Sequence, residues 1–222
     1  MGEGKIGAGK ISWDDQFLIL DKNGGSFHSY YDGVEGDPFF MATFRSALIK
    51  LASGEEFNNI SARLDVYTQM IQIKLNGDTA KYILPGVISE VIFFDTLQSK
   101  PVSYKFQCGY PAVDKLNKNS FYQVLSEGKV ELLKSQVKKI NKLKNDMTGE
   151  VSSQFDNYED HYVYVNYEIK RLKKDKEYIL DLLSDKRKEL EAYSTSQKVN
   201  FKSTESVKKL IDYYNSIAEP IH

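Results

Sequence analysis

Gly4, Gly9 and Lys10 have the spacing of a phosphate-binding loop, in which backbone amides cradle phosphates and the lysine reaches them. That chemistry next needs a hydroxyl for magnesium, but Ile11 stands there and Ser12 comes one place late. Such a loop also follows a buried strand and opens a helix, and neither pattern flanks Gly4. A flexible leader is the expectation. Metal binding would draw on His28, His161 and His222, which are far apart and in no ligand spacing. Within Glu159-Asp160-His161 a strand turns Asp160 away from its neighbours, so only two ligands converge, and a solvated strand end is expected. Cys108 alternates with Tyr104 and Phe106 on an apolar face, where a buried, inert thiol is the default. No nucleophile elbow is present, although a Ser–His–acid triad is a matter of geometry that spacing does not display. No catalytic, cofactor or metal residues are assigned, and a non-enzymatic role is expected.

Basic residues cluster at Lys129, Lys134, Lys138, Lys139, Lys142 and Lys144, and again at Lys170, Arg171, Lys173 and Lys174. With aromatics nearby, the Lys129–Lys144 stretch could form a nucleic-acid or anionic-glycan surface. The simpler reading is a solvated strand whose lysines discourage edge-to-edge pairing. A formal net charge of −1 spreads no global field toward polyanions, so no nucleic-acid partner is expected.

The elements that must position these residues follow from period. Phe17 to Leu20 is a possible first strand. Ser61 to Tyr67 alternates, with Ala62, Leu64 and Val66 on one face and Arg63 and Asp65 on the other. Met70 to Leu75 alternates too, Asn76-Gly77 suits a tight hairpin turn, and Thr79 to Leu84 returns. Val87 to Phe94 reads as a more completely buried strand, and Pro101 to Cys108 alternates. Phe121 to Ser126 and Val130 to Ile140 form a second hairpin around Glu127-Gly128. Asn141 to Asn157 is polar, a loop or a long hairpin tip, and Tyr162 to Leu172 supplies the last strand or pair of strands. After Lys173 the period becomes helical, with Asp175 and Ser203 as N-caps and Val207, Leu210, Ile211 and Tyr214 on one face.

Roughly nine short strands without crossover helices make this an α+β chain. It is mainly an antiparallel β meander, sandwich or barrel-like, followed by a short C-terminal helical segment. Three parts are expected: a tail and irregular segment over 1–40, an antiparallel β domain over 41–173, and a helical cap over 174–222. At 222 residues, 41% hydrophobic, the chain can bury a core without staples, and its single cysteine forms no intrachain disulfide. No apolar run reaches the length of a transmembrane segment. Fifteen tyrosines beside twelve phenylalanines suit half-buried pleated surfaces. Met1 to Trp13 has no signal-peptide core, which fits either a cytoplasmic protein or one whose leader has been removed.

Gly109-Tyr110-Pro111-Ala112-Val113-Asp114, Phe121-Tyr122-Gln123-Val124-Leu125, Gly128-Lys129-Val130, Leu132-Leu133-Lys134 and the closing Tyr213-Tyr214-Asn215 resemble a recurring stretch in uncharacterised proteins of Bacteroidetes bacteria. The resemblance covers about residues 44–218. It implies an exported, periplasmic or cell-envelope protein that binds or scaffolds, and it carries over no catalytic residues. The leading expectation is accordingly a non-enzymatic interaction or scaffold protein with a protein partner, docked through Val207, Leu210, Ile211 and Tyr214. The alternative is a small-molecule or glycan binding module using a β-domain cleft. An exposed apolar patch on the last helix favours the first, and a concave pocket with convergent polar groups favours the second. Oligomeric state stays open.

Overall fold

The computed structural model describes residues 17–18, 31, 33–74, 80–144 and 146–218. The glycine-rich leader, the Asn76-Gly77 turn, His28 and His222 lie outside them. The strands are β1 (Phe17–Leu18), β2 (Val34–Glu35), β3 (Arg45–Leu51), β4 (Glu56–Asp65), β5 (Met70–Lys74), β6 (Ala80–Ile83), β7 (Ile88–Leu97), β8 (Lys100–Gln107), β9 (Tyr122–Ser126), β10 (Glu131–Lys144), β11 (Val151–Val165) and β12 (Glu168–Arg171). They form one sheet in the order β1-β6-β5-β4-β3-β7-β8-β9-β10-β11-β12, with β2 beside β11. All pairings are antiparallel except β2 with β11, and the sheet is not closed, since β1 and β12 stand at opposite ends of the order.

Alternation explains the first core. Ala47, Ile49 and Leu51 of β3 meet Ala62 and Leu64 of β4, Ile71 and Ile73 of β5, and Val91 and Phe93 of β7. Expected as nearly all buried, β7 instead alternates: Phe93 is sealed in while Phe94 is exposed, because the described residues cover only one face of this half of the sheet. Asp65 differs the other way. It shares a face with Arg63 yet is fully buried, because the Tyr31 and Tyr82 hydroxyls and the backbone N–H groups of Tyr67 and Thr68 all donate to its carboxylate.

The polar stretch Asn141–Asn157 is a long hairpin. β10 and β11 run in register from Glu131–Tyr164 to Lys144–Val151, so Glu159-Asp160-His161 lies in mid-strand and not at a strand end. Polar bonds such as Asn141 Nδ2 to Asp156 keep the hairpin in register without an apolar face. The sheet also curls. The turn after β4 reaches across it, where the Lys138 N–H donates to Val66 O at 3.2 Å and Gln69 Nε2 donates to Gln136 O at 3.0 Å.

The helices are α1 (Lys176–Leu182), α2 (Arg187–Ser196) after a 3-10 turn at Ser184–Lys186, and α3 (Thr204–Ile217). Asp175 caps α1 by accepting from the Tyr178 N–H, and Ser203 caps α3 by accepting from the Ser206 N–H. Their apolar stripes pack on Leu132, Val163 and Val165 of the sheet and on Val130 and Leu172 flanking it. Val207, Leu210, Ile211 and Tyr214, expected as a partner-docking face, are buried inside this core at 2% exposure or less. The sheet already occupies that face, because each helix is too short to hold its stripe away from water by itself. Asn215 locks α3 to the start of β10: its Oδ1 accepts from the Val130 N–H, and its Nδ2 donates to the carbonyls of Glu127 and Val130. The turn between β9 and β10 needs Gly128, whose φ is +141° and whose added Cβ would stand 2.6 Å from Asn215 Cγ. Among the described residues no helix is long and apolar enough to cross a membrane.

Candidate functional site

Strand alternation gives β10–β12 two different faces. Leu132 and Val163 point to the helices, while Leu133, Ser135, Val137 and Lys139 point the other way beside Tyr162, Asp160, Tyr158 and Asp156. Arg171 of β12 joins this second face opposite Tyr162. Beneath it runs a chain of tyrosines in edge-to-face contact, from Tyr164 to Tyr110 to Tyr122 to Tyr162, with centroids 5.1–5.6 Å apart. This cluster accounts for part of the tyrosine excess.

Over that face lies a cleft of about 570 Å³, within the range of roughly 300–1,000 Å³ common for ligand sites. Ser135, Val137, Tyr158, Asp160, Tyr162 and Arg171 form its floor. One wall is the turn carrying Thr68 and Gln69, and the other is the segment 114–120.

Both walls are held by their own hydrogen bonds. Val113 and Leu116 exchange backbone bonds around Asp114-Lys115, and Asp114 takes φ +52°, a conformation that Asp tolerates better than most residues. Asn117 accepts from the Asn119 N–H through Oδ1, and the Ser120 hydroxyl accepts from the Asn117 N–H. Gln69, at φ +57°, accepts from the Phe121 N–H while its Nε2 donates to Val66 O and Gln136 O. These bonds stabilise a backbone conformation that is unfavourable for a residue with a side chain.

Polar groups converge at the floor. The Tyr162 hydroxyl donates to Asp114 at 2.8 Å, and Arg171 pairs with both Asp114 and Asp160. Burial, aided by the bond to Asp114, pushes the Tyr162 phenol up to about 12, so it stays a donor at neutral pH. Both carboxylates face the same guanidinium, which makes a positioning network. The Tyr122 hydroxyl and Thr68 Oγ1 are buried without a hydrogen-bond partner among the described residues. Lys139 holds its ammonium 4.5 Å from the centroid of the Tyr158 ring.

The basic stretch separates by face. Lys129 pairs with Asp185, Lys134 with Glu159, and Lys138 with Asp37 and the carbonyls of Asp37 and Phe39. Lys139 alone of the six lines the cleft. Within Glu159-Asp160-His161, Asp160 enters the cleft and its neighbours face away, as alternation requires. Cys108 is half-buried; burial pushes its thiol up to about 11, and it donates to Ile88 O at 3.0 Å. No group of three or more His, Cys, Asp and Glu is placed to hold a metal among the described residues.

Spacing singled out Asp160, Lys139 and Arg171 only as members of local acidic or basic clusters, because the cleft residues come from six separated stretches. The available signal was the density of Asp, Asn and Ser in Asp114–Ser120, a loop too polar to be core. Comparison of the chain with family models, with curated proteins and with solved structures finds no match.

Proposed function

We propose that this chain is a non-enzymatic binding module that takes a small polar molecule, a glycan in the first instance, into the cleft between the 114–120 segment and the β4–β5 turn. One observation carries this reading: Asp114, Asp160, Arg171 and Tyr162 converge on one floor beside the aromatic Tyr158, already bonded to one another. Planar groups held this way bind hydroxyl pairs without an ordering cost, and Tyr158 adds a surface with apolar faces and a polar tip. The alternative expected from sequence is therefore favoured over docking through α3, whose apolar stripe is already covered. Export to the cell envelope belongs to the same proposal, and fractionation of the native cells tests it.

The experiment is a glycan array with the intact chain, followed by titration of each hit. Asp114→Ala and Tyr158→Ala each weaken binding at least tenfold while the circular-dichroism spectrum is unchanged. Hits that bind both variants as tightly as the parent would place the ligand elsewhere.

A second reading, a protein-interaction role, draws on a different feature. The far part of the β10–β11 hairpin extends past β9 and exposes Leu143 and Val151. Pulldown with Leu143→Asp against the parent tests it, and capture of the same proteins by both would end this reading.

A further inference from the structure

Resting on the cleft reading, we infer that the ligand carries an anionic group, of the carboxylate kind found in uronic acid sugars, seated against Lys139. The residues lining the cleft that carry charge at neutral pH are Asp114, Lys115, Lys139, Asp160 and Arg171. The two carboxylates are already engaged with Arg171. Lys115 and Lys139 have no carboxylate at ion-pair distance among the described residues, although other lysines of β10 do. The difference at Lys139 is built into its surroundings. Its cross-strand neighbour is Asp156, which could have neutralised it. Asp156 instead accepts from Asn141 Nδ2 and Gln154 Nε2. The ammonium meanwhile rests over the Tyr158 ring, which fixes its position beside the cleft without a direct carboxylate contact among the described residues.

A neutral hydroxylated ligand has no need of that charge. A carboxylate beside Lys139 gains a charge-assisted bond, and the remaining hydroxyls face the Asp114–Arg171–Asp160 network. Lys115, on the facing wall, adds to the positive field that draws an anion in.

The test titrates the intact chain, by calorimetry at low and high salt, with short oligosaccharides of a hexuronic acid and with neutral hexose oligosaccharides of the same linkage. The acidic series binds at least tenfold more tightly, the preference shrinks with salt, and Lys139→Gln removes that preference, read as the ratio of the two affinities in the same variant. Equal affinity for both series, or a preference that survives Lys139→Gln, overturns the anionic inference and leaves the cleft reading standing. Binding of neither series, together with an array that yields no cleft-dependent hit, overturns both.

Discussion

The two faces of the β10–β11 ribbon are made by alternate residues of the same strands, yet they are built differently. One face, with Leu132 and Val163, is sealed under three helices whose apolar stripes have no other place to go. The other passes from the tyrosine cluster to Ser135, Asp160 and Arg171, where polar side chains line a cleft. Beside it the Tyr122 hydroxyl of β9 and Thr68 Oγ1 of the β4–β5 turn are buried without hydrogen-bond partners among the described residues. An unpartnered buried hydroxyl costs about 1–3 kcal/mol. A surface shaped for stability alone would fill such positions with methyl groups, as the helix face does. On the proposed reading the first face serves stability and the second recognition.

The sharpest break between the faces comes from cutting the helix core. Leu210→Ala removes a fully buried side chain and should lower unfolding free energy by about 2–5 kcal/mol in urea titration. Ligand affinity measured under folded conditions should not change. Gly128→Ala forces a side chain into a φ of +141° against Asn215, and a loss of about 1–3 kcal/mol is expected. Thermal scans should show the lowered midpoint.

The tyrosine side of the ribbon carries its own pH signature. Burial raises Glu131 above the ordinary glutamate value of 4.5, against the opposing bond donated by Tyr110. The folded state therefore holds this proton more tightly than the unfolded chain. Glu131 contributes stability below the ordinary value and loses it as pH rises through the raised one. Unfolding measured from pH 4 upward should show a decline in the parent that is shallower in Glu131→Gln. Equal slopes in the two proteins would remove Glu131 from the account.

The smallest stability effect belongs to the cleft. Arg171→Ala breaks ion pairs whose partners are about half exposed, so stability should change by less than about 1 kcal/mol. Binding should nevertheless fall at least tenfold. That dissociation of stability from affinity is the comparison in its most demanding form.

Legibility followed the same division. Helical spacing and the caps at Asp175 and Ser203 identified α1 and α3, because those signals are local in the chain. Alternation gave Ala62, Leu64 and Val66 their common buried face. It misplaced Asp65, whose burial depends on Tyr31, thirty-four positions away. It left the 141–157 stretch ambiguous because cross-strand polar bonds, unlike apolar alternation, leave no periodic trace. The cleft was illegible for a further reason. Thr68, Asp114, Asp160 and Arg171 meet only because the sheet curls and the β4–β5 turn crosses to β10, and no spacing rule anticipates that contact.

The most direct test is amide chemical-shift mapping of the isotope-labelled chain during titration with the tightest hit from the glycan array. Saturable shifts confined to Asp114–Ser120, Ser135–Lys139 and Tyr158–Tyr162 are the predicted result. Shifts centred on α3 or on the hairpin tip, with those segments silent, would contradict the assignment of recognition to the cleft face.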